Sequence, residues 1–315
     1  MKKILALLLL VCSLQASAQS VNPIEIVVPF APGGLASIMG LMTAEILNNN
    51  KIPTVVIHRP GADGTIGANS VARVAPDGRT LLLGTSSVLS SNLVFGVPGM
   101  EYTEKSFVPI VPLGKTGLVL VTHEKNPIKN LDLLKFYVKA NPEKFNIGVW
   151  NTNLGKIMQD WAHREGLPAP QIVVYKGSNQ LLPDVYGGHV LLGFDTWPAV
   201  IPLAKDQKLQ VLATLDKSVL REVKAIKPQQ DIVNISKAYP DLEFSIWYGL
   251  FAPTGTSQQL LQLLNTVINN ELQKDSYRQK LRNMDIVDYG GSAESLHATQ
   301  RRSIQIMSRL RKEIK

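Results

Sequence analysis

Short, β-branched apolar runs alternate along this chain with longer helical stretches, and that alternation confines it to a sheet that is mostly parallel. Ile24 to Phe30 (IEIVVPF) reads as a strand buried on both faces, followed by Ala31-Pro32-Gly33-Gly34 and a helical stretch from Ala36 to Asn48. Thr54 to His58 and Arg79 to Gly84 repeat the strand pattern around a helix from Ala68 to Val74. A second series places strands at Leu118 to Thr122, Phe145 to Val149, Gln171 to Tyr175, Val190 to Phe194 and Val211 to Thr214. Helical patterns separate them. Ser218 to Pro240 is polar and reads as a long surface connection, Phe244 to Ala252 (FSIWYGLFA) resumes as a strand, and two or three amphipathic helices close the chain. Strands joined by helices imply right-handed βαβ crossovers with helices on both faces of the sheet, so the expected class is α/β.

The length of 315 residues fits two domains. Residues 1–18 are set apart as a secretory signal peptide. Lys2 and Lys3 form a basic start, Ile4 to Val11 is an apolar run too short to span a bilayer, and Ala16-Ser17-Ala18 is a cleavage site. Cleavage would remove Cys12, the one cysteine, and two of the 33 basic residues that stand against 25 acidic ones. No later apolar stretch approaches the roughly 20 residues of a membrane span. Membrane insertion is not expected, and export is.

Chemical motifs are mostly lacking. His58, His123, His163, His189 and His297 stand far apart with no metal-ligand spacing, so no metal and no cofactor are expected. Gly84-Thr85-Ser86-Ser87-Val88 lacks the closing glycine of a nucleophile elbow, and Gly114-Lys115-Thr116 has Pro109 where a phosphate-binding loop needs glycine. Gly61, Gly64 and Gly67 read as a turn that needs positive φ. Arg301, Arg302, Arg309, Arg311, Lys312 and Lys315 crowd the last helix without interleaved aromatics, which fits a solvated basic helix end better than a nucleic-acid surface. No nucleophile, base and orienter stand together, so catalysis is not expected and no catalytic residue is assigned.

One junction recurs: a buried strand runs into a Gly, Ser, Thr or Asn loop that opens a helix. It occurs at Pro32-Gly33-Gly34, Gly84-Thr85-Ser86-Ser87, Asn151-Thr152-Asn153, Lys176-Gly177-Ser178-Asn179 and Asp195-Thr196-Trp197. In an open parallel sheet such loops gather at the carboxyl ends of the strands, where ligands bind. Each helix start offers free N–H groups and about half a positive charge, a seat for a carboxylate or phosphate.

The segments VVPFAPGG (Val27 to Gly34), RPGADGTIGA (Arg59 to Ala68), APDGRTLLLGT (Ala75 to Thr85), ANPEKFNIG (Ala140 to Gly148), VVYKG (Val173 to Gly177), GGHVLLGFD (Gly187 to Asp195) and WYGLFAPTGT (Trp247 to Thr256) run in order through the chain. Together they resemble the solute-binding receptors of tripartite tricarboxylate transporters, the TctC or Bug family. The resemblance implies a periplasmic receptor with the two-lobed type II Venus-flytrap fold, each lobe a mixed, mostly parallel sheet flanked by helices. It implies a first lobe of residues 19–120 plus 246–315 and a second of residues 121–245. Such a receptor binds a small carboxylated anion in the interlobe cleft, largely through backbone amides. It presents that ligand to transporter membrane subunits, or as an alternative to a sensor kinase; an exported α/β hydrolase is a more distant alternative. A monomer is expected, with no nucleic acid.

By position the ligand-facing residues are Pro32, Gly33, Gly34, Ser37, Thr85, Ser86, Trp150, Asn151, Lys176, Gly177 and Asp195, with Trp247 in the returning strand near the hinge. The chain departs from the family pattern in two of these loops. Leu35-Ala36-Ser37 stands where an aspartate is usual three residues after the glycines, and Gly148-Val149-Trp150-Asn151-Thr152-Asn153-Leu154 replaces a small, amide-rich turn. Trp150 has two readings, as a cleft wall or as core packing. As a cleft wall it favours a planar or partly apolar ligand with one carboxylate on the first-lobe loop.

Overall fold

A computed structural model describes residues 22–216, 219–226, 231–287 and 289–313. The expected leader and Lys315 lie outside the described residues. In chain order the elements are β1 (Ile24–Val28), α1 (Leu35–Asn49), β2 (Thr54–His58), α2 (Thr65–Ala72), β3 (Thr80–Thr85), α3 (Asn92–Phe95), β4 (Phe107–His123), α4 (Leu131–Ala140), β5 (Asn146–Val149), α5 (Thr152–Arg164), β6 (Gln171–Val174), α6 (Ser178–Tyr186), β7 (Leu192–Thr196), α7 (Trp197–Lys205), β8 (Leu209–Thr214), α8 (Leu220–Ile226), β9 (Val233–Asn234), α9 (Ile235–Ala238), β10 (Ser245–Pro253), α10 (Gln258–Leu272), α11 (Asp275–Asn283) and α12 (Ala293–Glu313).

The apolar runs become inner strands because they are covered on both sides. Ile26, Val27, Val28, Leu81, Leu82 and Leu83 are all buried, in layers that alternate between two core clusters. Successive strand residues point to opposite faces, so both faces of this sheet must carry helices. β2, β1 and β3 are parallel neighbours, and β10 pairs antiparallel with β3. Beyond β4, strands β7, β5 and β6 form a second parallel set, with β8 and β9 attached to the other side of β4's far end. Both halves are thus mixed, mostly parallel sheets within an α/β fold, as expected.

β4 joins the halves. Its 17 residues are one strand: Phe107 to Gly117 pairs with β10, and Leu118 to His123 pairs with β7 and β8. The sequence predicts only the second part, because Pro109, Pro112, Gly114 and Gly117 punctuate the first. Two register shifts against β10 skip one β4 residue each, and such bulges accommodate residues that a regular ladder would reject. The stretch 218–240 also differs from expectation. Its described residues include α8, β9 and α9, with Val219, Val223, Ile232 and Ile235 buried. Val219 and Val223 lie four apart on one helical face, a pattern too short to stand out among charged neighbours.

The glycine-rich turn after β2 does need positive φ at Gly61 (123°) and Gly64 (85°). Gly67 serves a different purpose. A Cβ there would come within 2.9 Å of Arg59 O and Pro29 Cα, so its bareness lets α2 sit close on the chain leaving β1. Asp63 between them is left-handed (φ 51°, ψ 34°), a conformation that aspartate tolerates better than most residues.

Candidate ligand-binding site

The loops at the carboxyl ends of β1, β3, β5, β6 and β7 face one another across the space between the two sheet halves. α1, α6 and α7 open there with no side-chain cap, on Gly34, Gly177 and Thr196 respectively. In α1 the first intrahelical bond runs from Ile38 N to Gly34 O (3.1 Å). The N–H groups of Leu35, Ala36 and Ser37 therefore have no helical acceptor. The cavity that these starts enclose is lined by Gly34, Leu35 and Ala36 on one side and by Lys176, Gly177, Ser178, Asp195 and Thr196 on the other, with Phe30, Thr85, Trp150 and Tyr248 between. Its volume is about 40 Å3, room for only a few waters.

The chain closes this space with contacts of its own. Phe30 and Trp150 meet edge to face, ring centroids 5.7 Å apart at 89°. Asn153 Nδ2 donates to the buried Asn92 Oδ1 at 2.9 Å, and Thr152 N reaches Asp63 Oδ1 at 3.4 Å. Lys156 Nζ lies 4.2 Å from the centre of the Phe95 ring. Asn92 is itself fixed, its Nδ2 donating to Asp63 O at 2.9 Å. Three of these four contacts use the segment Trp150 to Asn153.

Asp195 is the charged group at the bottom. It is fully buried, and its Oδ1 accepts from Ser178 Oγ (2.9 Å) and from Thr196 N (2.6 Å). Burial pushes its carboxyl up to about 6, although both bonds and the nearby Trp150 indole favour the charged form. The Trp150 indole N–H and Asp195 Oδ2 are both buried close together, the indole favouring the charged carboxylate as a hydrogen-bond donor would. Tyr248 is pushed up by burial and then by the charge of Asp195, so it stays a neutral phenol.

The residues expected from sequence are not all gathered. Gly34, Thr85, Trp150, Lys176, Gly177 and Asp195 line the cavity, and Trp150 walls it instead of joining the core alone. Pro32 and Gly33 are exposed at its edge, where Gly33 faces Asn179. Ser86 and Asn151 are buried beside the lining residues Thr85 and Trp150; Asn151 Oδ1 caps α5 by accepting from Asn153 N at 2.9 Å. Two assignments need correction. Ser37 turns away from the cavity to His58, Oγ to Nε2 2.8 Å, because the third residue of α1 faces the edge strand β2. Trp247 lies on the other face of β10, Nε1 donating to Ser303 Oγ at 2.9 Å. Its neighbour Tyr248 takes the cleft side, as strand alternation requires once Trp247 faces α12. Phe30, Ser178 and Thr196 also line the cavity, each adjoining a residue or loop that the sequence singles out.

Residues 38–314 match the family described as the tripartite tricarboxylate transporter family receptor. Protein BugT of Bordetella pertussis is 32% identical over 262 residues, spanning 82% of this chain and 78% of that protein. Among solved structures, Rpa4515 of R. palustris with adipate superposes with a TM-score of 0.82 at 25% identity, covering 94% of this chain and 98% of that one. MatC from Rhodopseudomonas palustris, with bound malate, shares the fold at a TM-score of 0.80 and 22% identity, over 92% and 99% of the two chains.

Proposed function

Because the chain belongs to the tripartite tricarboxylate transporter family of receptors, we propose that it captures a small carboxylated organic anion and hands it to the membrane subunits of a transporter. The observation that carries this reading is the convergence of three uncapped helix starts, α1, α6 and α7, on one cavity. Free N–H groups and the positive ends of helix dipoles together favour an anion there. Adipate in the similar structure from R. palustris supports the same ligand class.

Two lobes, residues 19–120 plus 246–315 and residues 121–245, open and shut about the two strands β4 and β10 in this reading. The open form admits the ligand. Binding favours the shut form only through contacts that the open form lacks. The ligand carboxylate lies on the N–H groups of Leu35 and Ala36, beside Thr85, while Trp150, Lys176 and Gly177 close from the other lobe. The receptor acts as a monomer in the periplasm after loss of residues 1–18. No described helix is long and apolar enough to cross a membrane, which agrees with a partner that supplies the membrane part.

A thermal-shift screen of mono-, di- and aromatic carboxylates tests the reading, since a ligand that binds only the folded form raises its melting temperature. At least one carboxylate is expected to do so. Stabilisation by a neutral sugar alone would sink the carboxylate assignment.

A further inference from the structure

Three residues in the first two turns of α5 reach the other sheet half at a place apart from the ligand cavity. Asn153 Nδ2 donates to Asn92 Oδ1 at 2.9 Å, Thr152 N points to Asp63 Oδ1 at 3.4 Å, and Lys156 Nζ stands 4.2 Å from the centre of the Phe95 ring. None of these six residues lines the cavity. Asn92 and Asn153 are 0% and 2% exposed, so their bond lies out of reach of solvent.

The receiving side is built in advance. Asn92 Nδ2 donates to Asp63 O at 2.9 Å and lies 3.4 Å from Thr65 Oγ1 and from Tyr102 Oη, and Tyr102 in turn donates to Val88 O at 2.8 Å. With its amide nitrogen held by its own half, Asn92 presents Oδ1 to the other. Asp63 is fixed by the same bond, in the left-handed turn between Gly61 and Gly64. The approaching residues Thr152 and Asn153 belong to the loop in which this chain departs from the family pattern.

These contacts join the halves while the cavity between them has room for only a few waters. A carboxylate of several carbons therefore enters only after they break. There is space for that movement. On the Trp247 side of β10 a groove of about 700 Å3 is lined by Arg302 and Arg309 of α12 and by Asp241 and Glu243 of the other half, and it can narrow as the cavity opens.

We infer that Asp63, Asn92 and Phe95 with Thr152, Asn153 and Lys156 form a latch that keeps the empty receptor shut and sets how fast ligand exchanges, with little effect on affinity. This rests on the receptor reading above and concerns the traffic of ligand through that site. The latch is fastened in the shut form with or without ligand, so its energy cancels from the difference between empty and bound protein. It does not cancel from the rates, because entry and exit both pass through the sparsely populated open form.

Stopped-flow tryptophan fluorescence, with the tightest binder among acetate, succinate, adipate and benzoate, reads both rate constants. Loss of one neutral hydrogen bond raises the open population about fivefold, so Asn153→Ala is expected to speed association and dissociation each by about fivefold while Kd changes by less than about twofold. Unchanged rates would overturn the inference and leave the carboxylate reading standing. So would a Kd raised about fivefold at an unchanged association rate, the behaviour of a receptor that is open when empty. Should Asn153→Ala fail to fold, Lys156→Ala leaves the buried amide pair intact and is read instead, with about a twofold rise in both rates expected and no rise overturning the inference. Small-angle scattering of the ligand-free wild type is expected to match the shut form, and a profile of separated halves would overturn the inference whatever the ligand. Binding by none of the four acids overturns the carboxylate reading, and the scattering profile then decides the latch alone.

Discussion

Replacing Asp195 by asparagine should make the empty protein more stable at pH 8 and slightly less stable at pH 4. The Asp195 carboxyl is pushed from 3.8 up to about 6 by burial, so between those values the folded chain holds a proton that the unfolded chain has released. Its contribution to stability is therefore fully present below about pH 4 and is lost as pH rises through about 6. A shift of that size corresponds to a cost on the order of 3 kcal/mol once the group is ionised. The asparagine oxygen can still accept from Ser178 Oγ and Thr196 N, which approach Oδ1 at 2.9 and 2.6 Å. The new amide group replaces Oδ2, where no acceptor stands, and burying it unpaired returns roughly 1 kcal/mol of that gain. A net gain of about 2 kcal/mol remains at pH 8, visible as a higher urea midpoint with an unchanged slope. The reasoning is refuted if Asp195→Asn is less stable than wild type at pH 8, or if its advantage persists undiminished to pH 4.

Other consequences are simpler to read. Asn153→Ala leaves the buried Asn92 Oδ1 without its donor and should cost about 1–3 kcal/mol in urea unfolding, with a larger radius of gyration by small-angle scattering as the halves separate. Trp150→Ala removes the half-buried indole that packs on Phe30, so it should destabilise by less than the roughly 3–5 kcal/mol of a fully buried site and bind longer carboxylates than the wild type does, measured by thermal shift. Ser37→Ala should lose about 1 kcal/mol with its bond to His58 and leave ligand affinity unchanged by calorimetry, because that side chain faces away from the cavity.

The strands and helices were legible wherever burial imposes a period. Ile26 to Val28 and Leu81 to Leu83 are apolar without a break because helices cover both faces. The first part of β4 was not legible, since its prolines and glycines carry a loop's signal and only pairing with β10 makes it a strand. That the helix starts gather at one cavity was legible in sequence, because a loop between strand and helix has one position in such a fold. Side-chain direction was not. Trp247 and Tyr248 are equally plausible as cleft residues until the packing of Trp247 on Ser303 decides between them, and Ser37 depends on where His58 stands. The unusual loop after β5 was visible as a departure, but its use in bridging to Asn92 and Asp63 needed partners some 60 to 90 residues away.

The position of β10 bears on how the chain acquires its structure. It lies between β3 and β4, yet it is synthesised about 120 residues after β4 ends. Until Ser245 to Pro253 emerge, β3 and the first part of β4 have no neighbour to bridge them, and the core beneath them lacks Ile246, Leu250 and Phe251. Pairings of such long range form slowly because loop closure must precede any gain. Early folding is therefore left to the second part of β4 and strands β5 to β9, which pair among themselves, and the half that bears the chain's beginning must wait for its end. A nascent chain of this design stays partly unfolded for most of its synthesis.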